Sequence, residues 1–202
     1  MIAIVDYGMG NLRSVTNAFR SLGARITITR DERIIRDAKA IVLPGVGAFG
    51  KCVENLKKFG LFDLLKEQIA RGKPYLGICL GMQILLESSE EAPGVEGMGV
   101  IKGRVVRFKG DMKIPHMGWN SVDIAKPGRI FEGIPKGSYF YFVHSYYPDP
   151  DASEGVSATI TDYGIKFTSS VQKDNIFASQ FHPEKSQHIG LTLLRNFVKS
   201  CE

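Results

Sequence analysis

Cys79 has the setting in this chain that best suits covalent chemistry. It lies in GICLG at 77–81, where a short apolar strand is predicted to run into a helix over Leu80–Leu86. The Gly-x-Cys-x-Gly pattern is the cysteine version of the nucleophile elbow, in which the central residue adopts a strained backbone and the glycines allow close approach of neighbouring chain. A helix N-terminus also favours a thiolate. The pattern predicts a nucleophile, although an isolated buried cysteine is more often a packing residue.

A thiol nucleophile needs a neighbouring base, and the chain contains four histidines. His182 is the one followed closely by a carboxylate, in the segment FHPE at 181–184. Pro183 favours an extended backbone at His182, which would place the imidazole and the Glu184 carboxylate on one face. Because geometry rather than chain order defines a triad, Cys79, His182 and Glu184 are predicted to act as nucleophile, base and orienting acid. Alone, His-Pro-Glu would more often be a surface turn, and it is the pairing with Cys79 that favours the triad.

A tetrahedral intermediate on a carbonyl substrate needs backbone amides that stabilise its oxyanion. The amide of Leu80, directly after the nucleophile, is predicted to supply one donor. The glycine-rich segment PGVG at 44–47 follows a predicted strand and is the candidate for the second, although its composition also fits a plain turn.

The other two cysteines do not suggest a second site. The three cysteines are odd in number and far apart, which argues against a disulfide framework, and their spacing is not that of zinc ligands. Cys52 lies within a helical pattern and Cys201 lies one residue from the end of the sequence, so both are interpreted as packing or surface residues. Neither a metal nor an organic cofactor is expected.

Composition and charge narrow the possible functions. The sequence of 202 residues is 44% hydrophobic and 23% charged, as in ordinary globular proteins, and a single domain over 1–202 is expected. The net charge of +5 comes from dispersed lysines and arginines, so nucleic-acid binding is not predicted. The sequence has neither a membrane-length apolar run nor a signal-peptide pattern, which predicts a cytoplasmic protein.

The elements that must position Cys79 follow from the hydrophobic pattern. In the first half, short apolar runs alternate with helical spacing, which is typical of a parallel sheet covered by helices on both faces. Predicted strands are Ile2–Asp6, Arg25–Thr29, Ala40–Leu43 and Tyr75–Cys79. Predicted helices are Leu12–Leu22 and the stretch 49–70, which Gly60 divides.

The second half is predicted to be richer in strands, followed by a helix over Ile189–Val198. Lys173-Asp174-Asn175 is a predicted hairpin turn. The predicted strands are Val100–Phe108, Ser138–Tyr147, Gly155–Thr161, Ile165–Gln172 and Ile176–Phe181.

Three of these motifs together resemble the class I (triad) glutamine amidotransferases: GICLGMQ around Cys79, PGVGAFG at 44–50 and FHPEKS at 181–186. The resemblance runs over essentially the whole chain. Within that family, PHMGWN at 115–120 and VHSYY at 143–147 are similar to the glutaminase subunits of imidazole glycerol-phosphate synthase. The resemblance implies a flavodoxin-like α/β three-layer sandwich with a mostly parallel central sheet and additional antiparallel strands in the second half.

The resemblance also implies roles for individual residues. Glutamine would be the substrate, and ammonia would pass to a separate (β/α)8-barrel cyclase in histidine biosynthesis. Carried over by motif, the catalytic residues are Cys79, His182 and Glu184, the oxyanion donors are the amides of Val46 and Leu80, and the substrate-binding residues are Gly47, Gln83, His144, Ser145 and Tyr146. The resemblance implies that PHMGWN is a loop that faces the cyclase. The implied partner interface comprises Asn11, Pro115, Met117, Trp119 and Tyr141, and by composition alone Met117 and Trp119 would more often be core residues.

Two alternatives stay open at this point. The chain could supply ammonia to another synthase, such as those that make anthranilate, guanylate or pyridoxal phosphate, or could be a γ-glutamyl hydrolase. It could also be an inactive regulatory or scaffolding subunit with the same fold. PHMGWN argues against the first alternative, and labelling of Cys79 by a glutamine-like electrophile would argue against the second.

Overall fold

Repeating strand–helix units form the first half of the chain in the computed structural model, which describes residues 1–201. Apolar residues dominate these strands because both faces of the sheet are covered. The strands are β1 (Ile2–Val5), β2 (Ile26–Thr29), β3 (Ala40–Gly45) and β4 (Tyr75–Cys79). The helices are α1 (Leu12–Ser21), α2 (Glu32–Asp37), α3 (Phe49–Lys58) and α4 (Leu61–Ala70).

The second half adds shorter strands and a long final helix. Its helices are α5 (Leu80–Gln83) and α6 (Gln187–Ser200), and 3₁₀ turns span Arg129–Phe131, Ala152–Glu154 and Pro183–Lys185. Its strands are β5 (Ser88–Ser89), β6 (Gly103–Arg107), β7 (His116–Ser121), β8 (Asp123–Ile124), β9 (Tyr139–His144), β10 (Tyr146–Pro150), β11 (Ser157–Asp162), β12 (Lys166–Lys173) and β13 (Ile176–Ser179).

An eight-stranded sheet with the order β2-β1-β3-β4-β13-β12-β11-β8 runs through the molecule. The first five strands in this order are parallel to one another. The pairs β13–β12, β12–β11 and β11–β8 are antiparallel. Side chains from one face of β1 pack in a core with α2, α3 and α4, and those from the other face pack with α1 and α6. The predicted three-layer α/β sandwich with additional antiparallel strands is confirmed.

Two small sheets lie apart from the main one, with the orders β10-β6-β5 and β7-β9. The predicted continuous strand Ser138–Tyr147 was wrong, because the chain passes from one small sheet to the other at Ser145. On one side of Ser145, β9 pairs with β7, and on the other side β10 pairs with β6. The carbonyl of Ser145 accepts a hydrogen bond from the amide of Phe108 at 3.1 Å.

The helix after the nucleophile is shorter than predicted. It ends at Gln83 instead of Leu86, and the amides of Leu85 and Leu86 form hydrogen bonds to the carbonyls three residues earlier. The carbonyls of Ile84 and Leu85 accept hydrogen bonds from the amides of Met98 and Val100, at 2.7 and 2.9 Å. The Gly81 carbonyl, which the Leu85 amide would need in a longer helix, accepts a hydrogen bond from the Tyr75 hydroxyl instead, at 2.7 Å. A single turn offers a weaker dipole to Cys79 than the prediction assumed.

Other boundaries also differ from the sequence predictions. Helix α2 was not predicted, because it has only six residues; the Asp31 side chain caps it by accepting hydrogen bonds from the amides of Arg33 and Ile34. The predicted strand Val100–Phe108 begins only at Gly103. The predicted break at Gly60 and the turn at Asp174 are confirmed, since both residues have positive φ angles. None of the helices within residues 1–201 combines the length and the apolar character needed to span a membrane.

Candidate active site

A strained turn presents Cys79 at the carboxyl end of β4. Its backbone angles are φ 54° and ψ −106°, an unusual conformation for a residue with a side chain. The flanking glycines are required, because a Cβ at Gly77 would collide with the Gly81 carbonyl and a Cβ at Gly81 would collide with the Leu43 carbonyl. The hydroxyl of Tyr75 also donates a hydrogen bond to the Gly81 carbonyl at 2.7 Å. The predicted elbow is confirmed as a backbone structure.

Strand β13 brings His182 to the same edge of the sheet, because it runs parallel to β4 with Ser179 opposite Ile78. The His182 backbone is extended, as predicted, with φ −102° and ψ 93°. Its Nδ1 lies 2.8 Å from Oε1 of Glu184, and both side chains are almost completely buried. The amide of His182 also donates to the carbonyl of Tyr141 at 2.9 Å, which fixes the backbone.

The charge state of His182 depends on its two neighbours. Burial alone would lower its pKa, but the negative Cys79 and Glu184 groups raise it to about 10. The Nε2 atom is buried and has no hydrogen-bond partner within residues 1–201, as is also true of Glu184 Oε2. A protonated imidazole with a free Nε2 beside a cysteine sulfur is suited to deliver a proton to a leaving group.

A cavity of about 430 Å³ opens in front of Cys79. His182 and Glu184 are not among the residues that line it. Glu91 and Val143 were missed by the sequence interpretation, and Pro115 was predicted only as an interface residue. The lining residues are Val46, Gly47, Cys79, Leu80, Gln83, Glu91, Pro115, Val143, His144, Ser145 and Tyr146. The structure therefore brings every predicted oxyanion and substrate-binding residue to one cavity, while their individual roles stay predictions.

The segment PGVG is divided between a strand and a loop. Its first two residues end β3, where Gly45 lies opposite Cys79 in register. Val46 and Gly47 follow directly at the cavity wall. Gly47 has a φ of 105°, a conformation that favours glycine and that sets the direction of the neighbouring amides. The Leu80 amide belongs to the first residue of α5, directly after the nucleophile.

His144 is a neutral residue held on both ring nitrogens. Burial lowers its pKa to about 3, despite a hydrogen bond to the Tyr146 carbonyl that raises it. Nδ1 lies 2.8 Å from this carbonyl and therefore donates to it, while Nε2 lies 3.0 Å from Nδ1 of His116. Burial also lowers the pKa of His116, to about 4. The His144 ring is thus occupied by structural bonds, so the residue can meet a ligand mainly through its backbone.

Gln83 and Gln180 form a buried amide pair beside the nucleophile. Gln83 Nε2 donates to Gln180 Oε1 at 2.8 Å and to the Tyr146 carbonyl at 3.1 Å. Gln180 Nε2 donates to the sulfur of Cys79 at 3.4 Å. Sequence reasoning missed Gln180, although its position two residues before His182 in an extended segment would have placed both side chains on one face.

An exposed apolar edge lies next to the cavity on the sheet formed by β7 and β9, which we call the β7 edge (Met117, Trp119 and Tyr139). These side chains are 61%, 47% and 58% exposed, although large apolar residues are usually buried. The segment PHMGWN was predicted as a loop, which was wrong: it contributes β7, and strand alternation buries His116 while exposing Met117 and Trp119.

The remaining predicted interface residues lie near the β7 edge or at a helix start. Tyr141 is half-buried, with its ring 6.2 Å from that of Trp119 and 5.6 Å from the ammonium of Lys185. Pro115 precedes β7 and also lines the cavity, so it joins the edge to the candidate site. Asn11 caps α1 by accepting a hydrogen bond from the amide of Ser14 at 3.3 Å.

Comparisons with known proteins agree with this arrangement. A profile of the family "Glutamine amidotransferase class-I" matches residues 3–201. Imidazole glycerol phosphate synthase subunit HisH of Methanothermobacter thermautotrophicus is 53% identical over 199 residues, which cover 98% of each chain. The protein of the same name from Methanocaldococcus jannaschii is 50% identical over 201 residues, covering 98% of this chain and 99% of that protein.

Solved structures share the fold at much lower identity. A crystal structure of a glutamine amidotransferase superposes with a TM-score of 0.78 at 20% identity, covering 100% of this chain and 99% of that one. Another glutamine amidotransferase, from Thermotoga maritima, gives a TM-score of 0.72 at 16% identity, covering 99% of this chain and 96% of that one. These two structures support the architecture alone.

Proposed function

Because the chain belongs to the class-I glutamine amidotransferase family, we propose that it is the glutaminase subunit of an imidazole glycerol phosphate synthase and works in histidine biosynthesis. The observation that carries this proposal is the likeness to the HisH subunits, which extends over nearly the whole length of both chains. The chain hydrolyses glutamine to glutamate and ammonia, and the cyclase subunit consumes the ammonia. The same proposal places the enzyme in the cytoplasm.

In the first half of the proposed reaction, the Cys79 thiolate attacks the side-chain carbonyl carbon of glutamine. The resulting oxyanion accepts hydrogen bonds from the amides of Val46 and Leu80, two residues that line the cavity together with Cys79. The protonated His182 then gives its Nε2 proton to the departing nitrogen. The carbon–nitrogen bond breaks, ammonia leaves, and a glutamyl thioester remains on Cys79.

In the second half, water attacks the thioester carbon while His182, now neutral, accepts the proton of the water. The carbon–sulfur bond breaks, glutamate leaves, and the thiolate and imidazolium are restored. Glu184 holds the imidazole through Nδ1 in both halves. The overall reaction consumes glutamine and water and requires neither a metal nor an organic cofactor.

Glu91 is the carboxylate that lines the cavity, and we assign it to the α-ammonium group of glutamine. One of its oxygens, Oε2, accepts a hydrogen bond from the amide of Phe49 at 2.7 Å, which fixes the side chain. A fixed anion in a partly enclosed cavity attracts an ammonium group more strongly than it would in water. The resemblance did not include this residue among the substrate contacts.

The variant Glu91→Gln is expected to raise KM for glutamine about 10-fold and to change kcat less than about 3-fold, since a bond to a charged group is lost in ground and transition states alike. Glutamine retains an oxygen for the Phe49 amide, so α3 stays capped. Steady-state glutamate release measures both constants. The matched control is Glu90→Gln, because Glu90 bonds to the Arg107 amide and lies outside the cavity lining. A KM equal to that of wild type would remove Glu91 from substrate binding.

The β7 edge is proposed to bind the cyclase, which we expect to be a (β/α)8 barrel. Exposed Met and Trp side chains are the kind that form the energetic centre of interfaces. Pro115 links this edge to the cavity, so ammonia released at Cys79 would leave close to the partner. Release of ammonia without the partner is wasteful, and we therefore expect low glutaminase activity until the cyclase docks.

The proposed function is tested by mixing the protein with glutamine and the cyclase, and by measuring association and glutamate production. We expect a stable complex and a rise in kcat of at least about 10-fold on binding, since typical coupling between sites spans about 5- to 150-fold. The variant Trp119→Asp is expected to weaken association at least about 30-fold, the loss typical of an interface hot spot. Ile28→Asp, on the distant edge strand β2 where Ile28 is 41% exposed, is the control. Equal turnover with and without the cyclase, and no association, would reject the proposal.

A further inference from the structure

The amide of Gln180 is a polar side-chain group outside the triad that contacts the nucleophile directly. Gln180 is 0% exposed, and its backbone amide donates to the Ser169 carbonyl at 2.9 Å, which joins it to the neighbouring strand β12. From this fixed backbone, Nε2 reaches the Cys79 sulfur at 3.4 Å. A buried primary amide offers both donors and an acceptor, so its effect on a thiolate depends on which end faces the sulfur.

The neighbouring groups determine that orientation. The Tyr146 carbonyl can only accept, so Gln83 must point its nitrogen toward it. The same nitrogen donates its second hydrogen to Gln180 Oε1. With its oxygen held by Gln83, Gln180 presents its nitrogen to Cys79. The opposite orientation would set an amide oxygen against the sulfur and leave two donors facing each other.

We propose that Gln180 is a positioning residue for the nucleophile: its N–H group, oriented by Gln83, stabilises and aims the Cys79 thiolate. This inference rests on the proposed glutaminase function and adds to it a contact outside the triad. Cys79 has a strained backbone and little room, with 7% of the residue exposed, so one lateral hydrogen bond can restrict the direction of its sulfur. A sulfur aimed at the carbonyl carbon reacts faster than one that also samples unproductive directions.

Two effects of removing the donor oppose each other. Fewer thiolates form at a given pH, but each becomes more nucleophilic, with a Brønsted slope of about 0.4–0.5. An upward shift of one pH unit in thiolate formation would thus lower the rate at most about 3- to 4-fold, the limit reached below the midpoint of thiolate formation. A larger loss of kcat therefore means that the sulfur is also misdirected. This outcome distinguishes a positioning role from an effect on thiolate formation alone.

The test compares Gln180→Met, which preserves shape but has no polar hydrogen, with Gln180→Glu, which retains an oxygen for Gln83 but turns an acceptor toward the sulfur. In the complex with the cyclase, kcat is expected to fall about 10-fold in the first variant and about 100-fold in the second, while KM changes less than about 3-fold. The midpoint of the pH profile for iodoacetamide alkylation of Cys79 is expected to move up about one unit in Gln180→Met and further in Gln180→Glu.

Gln68→Met is the matched control, because Gln68 on α4 is also buried, with 3% exposure, and its Nε2 has no hydrogen-bond partner in the described part of the chain. Its kcat and its alkylation midpoint are expected to equal those of wild type. Folded Gln180 variants with wild-type kcat and an unshifted midpoint would overturn the inference. If only Gln180→Glu folds, its midpoint alone decides. A wild-type complex without glutaminase activity would instead reject the proposed function, independently of Gln180.

Discussion

Replacing Cys79 by alanine is expected to lower kcat/KM for glutamine at least about 10⁴-fold, because nucleophile removal in hydrolases of this logic costs about that factor or more. No other described side chain at the cavity can form the thioester. The loss should persist with the cyclase bound, since docking cannot supply a nucleophile. Glutamate release by the complex, measured over hours, checks the residual rate.

Covalent labelling gives an independent reading of the same substitution. A glutamine analogue with an electrophilic carbon is expected to add once to the wild type, at Cys79, and not to Cys79→Ala; intact-protein mass spectrometry counts the adducts. Cys52→Ala is the control, because Cys52 is fully buried and burial raises its pKa to about 12, which keeps it a neutral, unreactive thiol. An unlabelled wild type would favour the inactive scaffold, and a labelled Cys79→Ala would move the nucleophile elsewhere.

The parallel half of the fold was predictable because its signals are local. Apolar runs of four to six residues, separated by amphipathic spacing, have few other stable arrangements than a covered parallel sheet. Tyr75–Cys79 was predicted with the same limits as observed, and the long stretch after Phe49 was divided correctly at Gly60. Both cases combine an apolar pattern with a glycine at the point where the chain must turn.

The errors fall where tertiary pairing overrides local preference. The helix after Cys79 stops at Gln83, where the Tyr75 hydroxyl occupies the Gly81 carbonyl and later amides bind the carbonyls of Ile84 and Leu85. Nothing near Leu86 in the sequence signals these contacts. Ser138–Tyr147 reads as one β-rich run, yet two different partners divide it at Ser145. The family resemblance implied a loop at PHMGWN, whereas pairing with β9 makes this segment a strand.

The candidate site also contains residues that the sequence predicts and residues that it does not. The triad and the cavity walls follow from motifs with fixed spacing, so Cys79, His182 and Glu184 could be proposed from the sequence. Glu91 carries no such signal, and Gln180 carries only its alternation with His182, because the relevance of both depends on which distant atoms they meet. Gln180 meets Cys79 across 101 positions of the chain, and Glu91 meets the Phe49 amide across 42. Such contacts appear only when the parallel strands place their carboxyl ends side by side.

Substitution of His182 by asparagine is the second change expected to have a very large effect, with a loss of kcat of about 10³-fold, within the range typical of general acid–base residues. Asparagine can still donate a hydrogen bond to the Glu184 carboxylate, whereas the imidazole that carries the proton is removed. His188→Asn, at an exposed position on α6, is the matched control. Glutaminase assays of the complex measure the loss, and a His182→Asn enzyme with wild-type turnover would disprove the acid–base role.

The pH dependence of the wild type follows from the same residue. The folded pKa of His182 is raised to about 10, above the ordinary value of 6.5, so the imidazolium is present below that pH and is lost as the pH rises through it. The alkaline decline of the acylation rate is therefore expected near pH 10 rather than near 6.5. In Glu184→Gln, one of the two raising charges is gone, and the decline should move to lower pH. Burst-phase measurements of ammonia release against pH check both positions, and an unmoved decline in Glu184→Gln would exclude the carboxylate as its cause.

Acylation of Cys79 is expected to convert His182 from the imidazolium to the neutral imidazole. Burial lowers the pKa of this imidazole, and the Cys79 thiolate is a main reason that it is raised. Once the sulfur carries the glutamyl group its negative charge is gone, so the pKa of His182 falls, and the proton given to ammonia is not readily regained from solvent. The neutral imidazole that results is the base that the second half of the reaction requires. A stable thioester trapped by a slow substrate would reveal the shift in the His182 resonance by NMR titration, and an imidazolium that persists to about pH 10 in that state would contradict the mechanism.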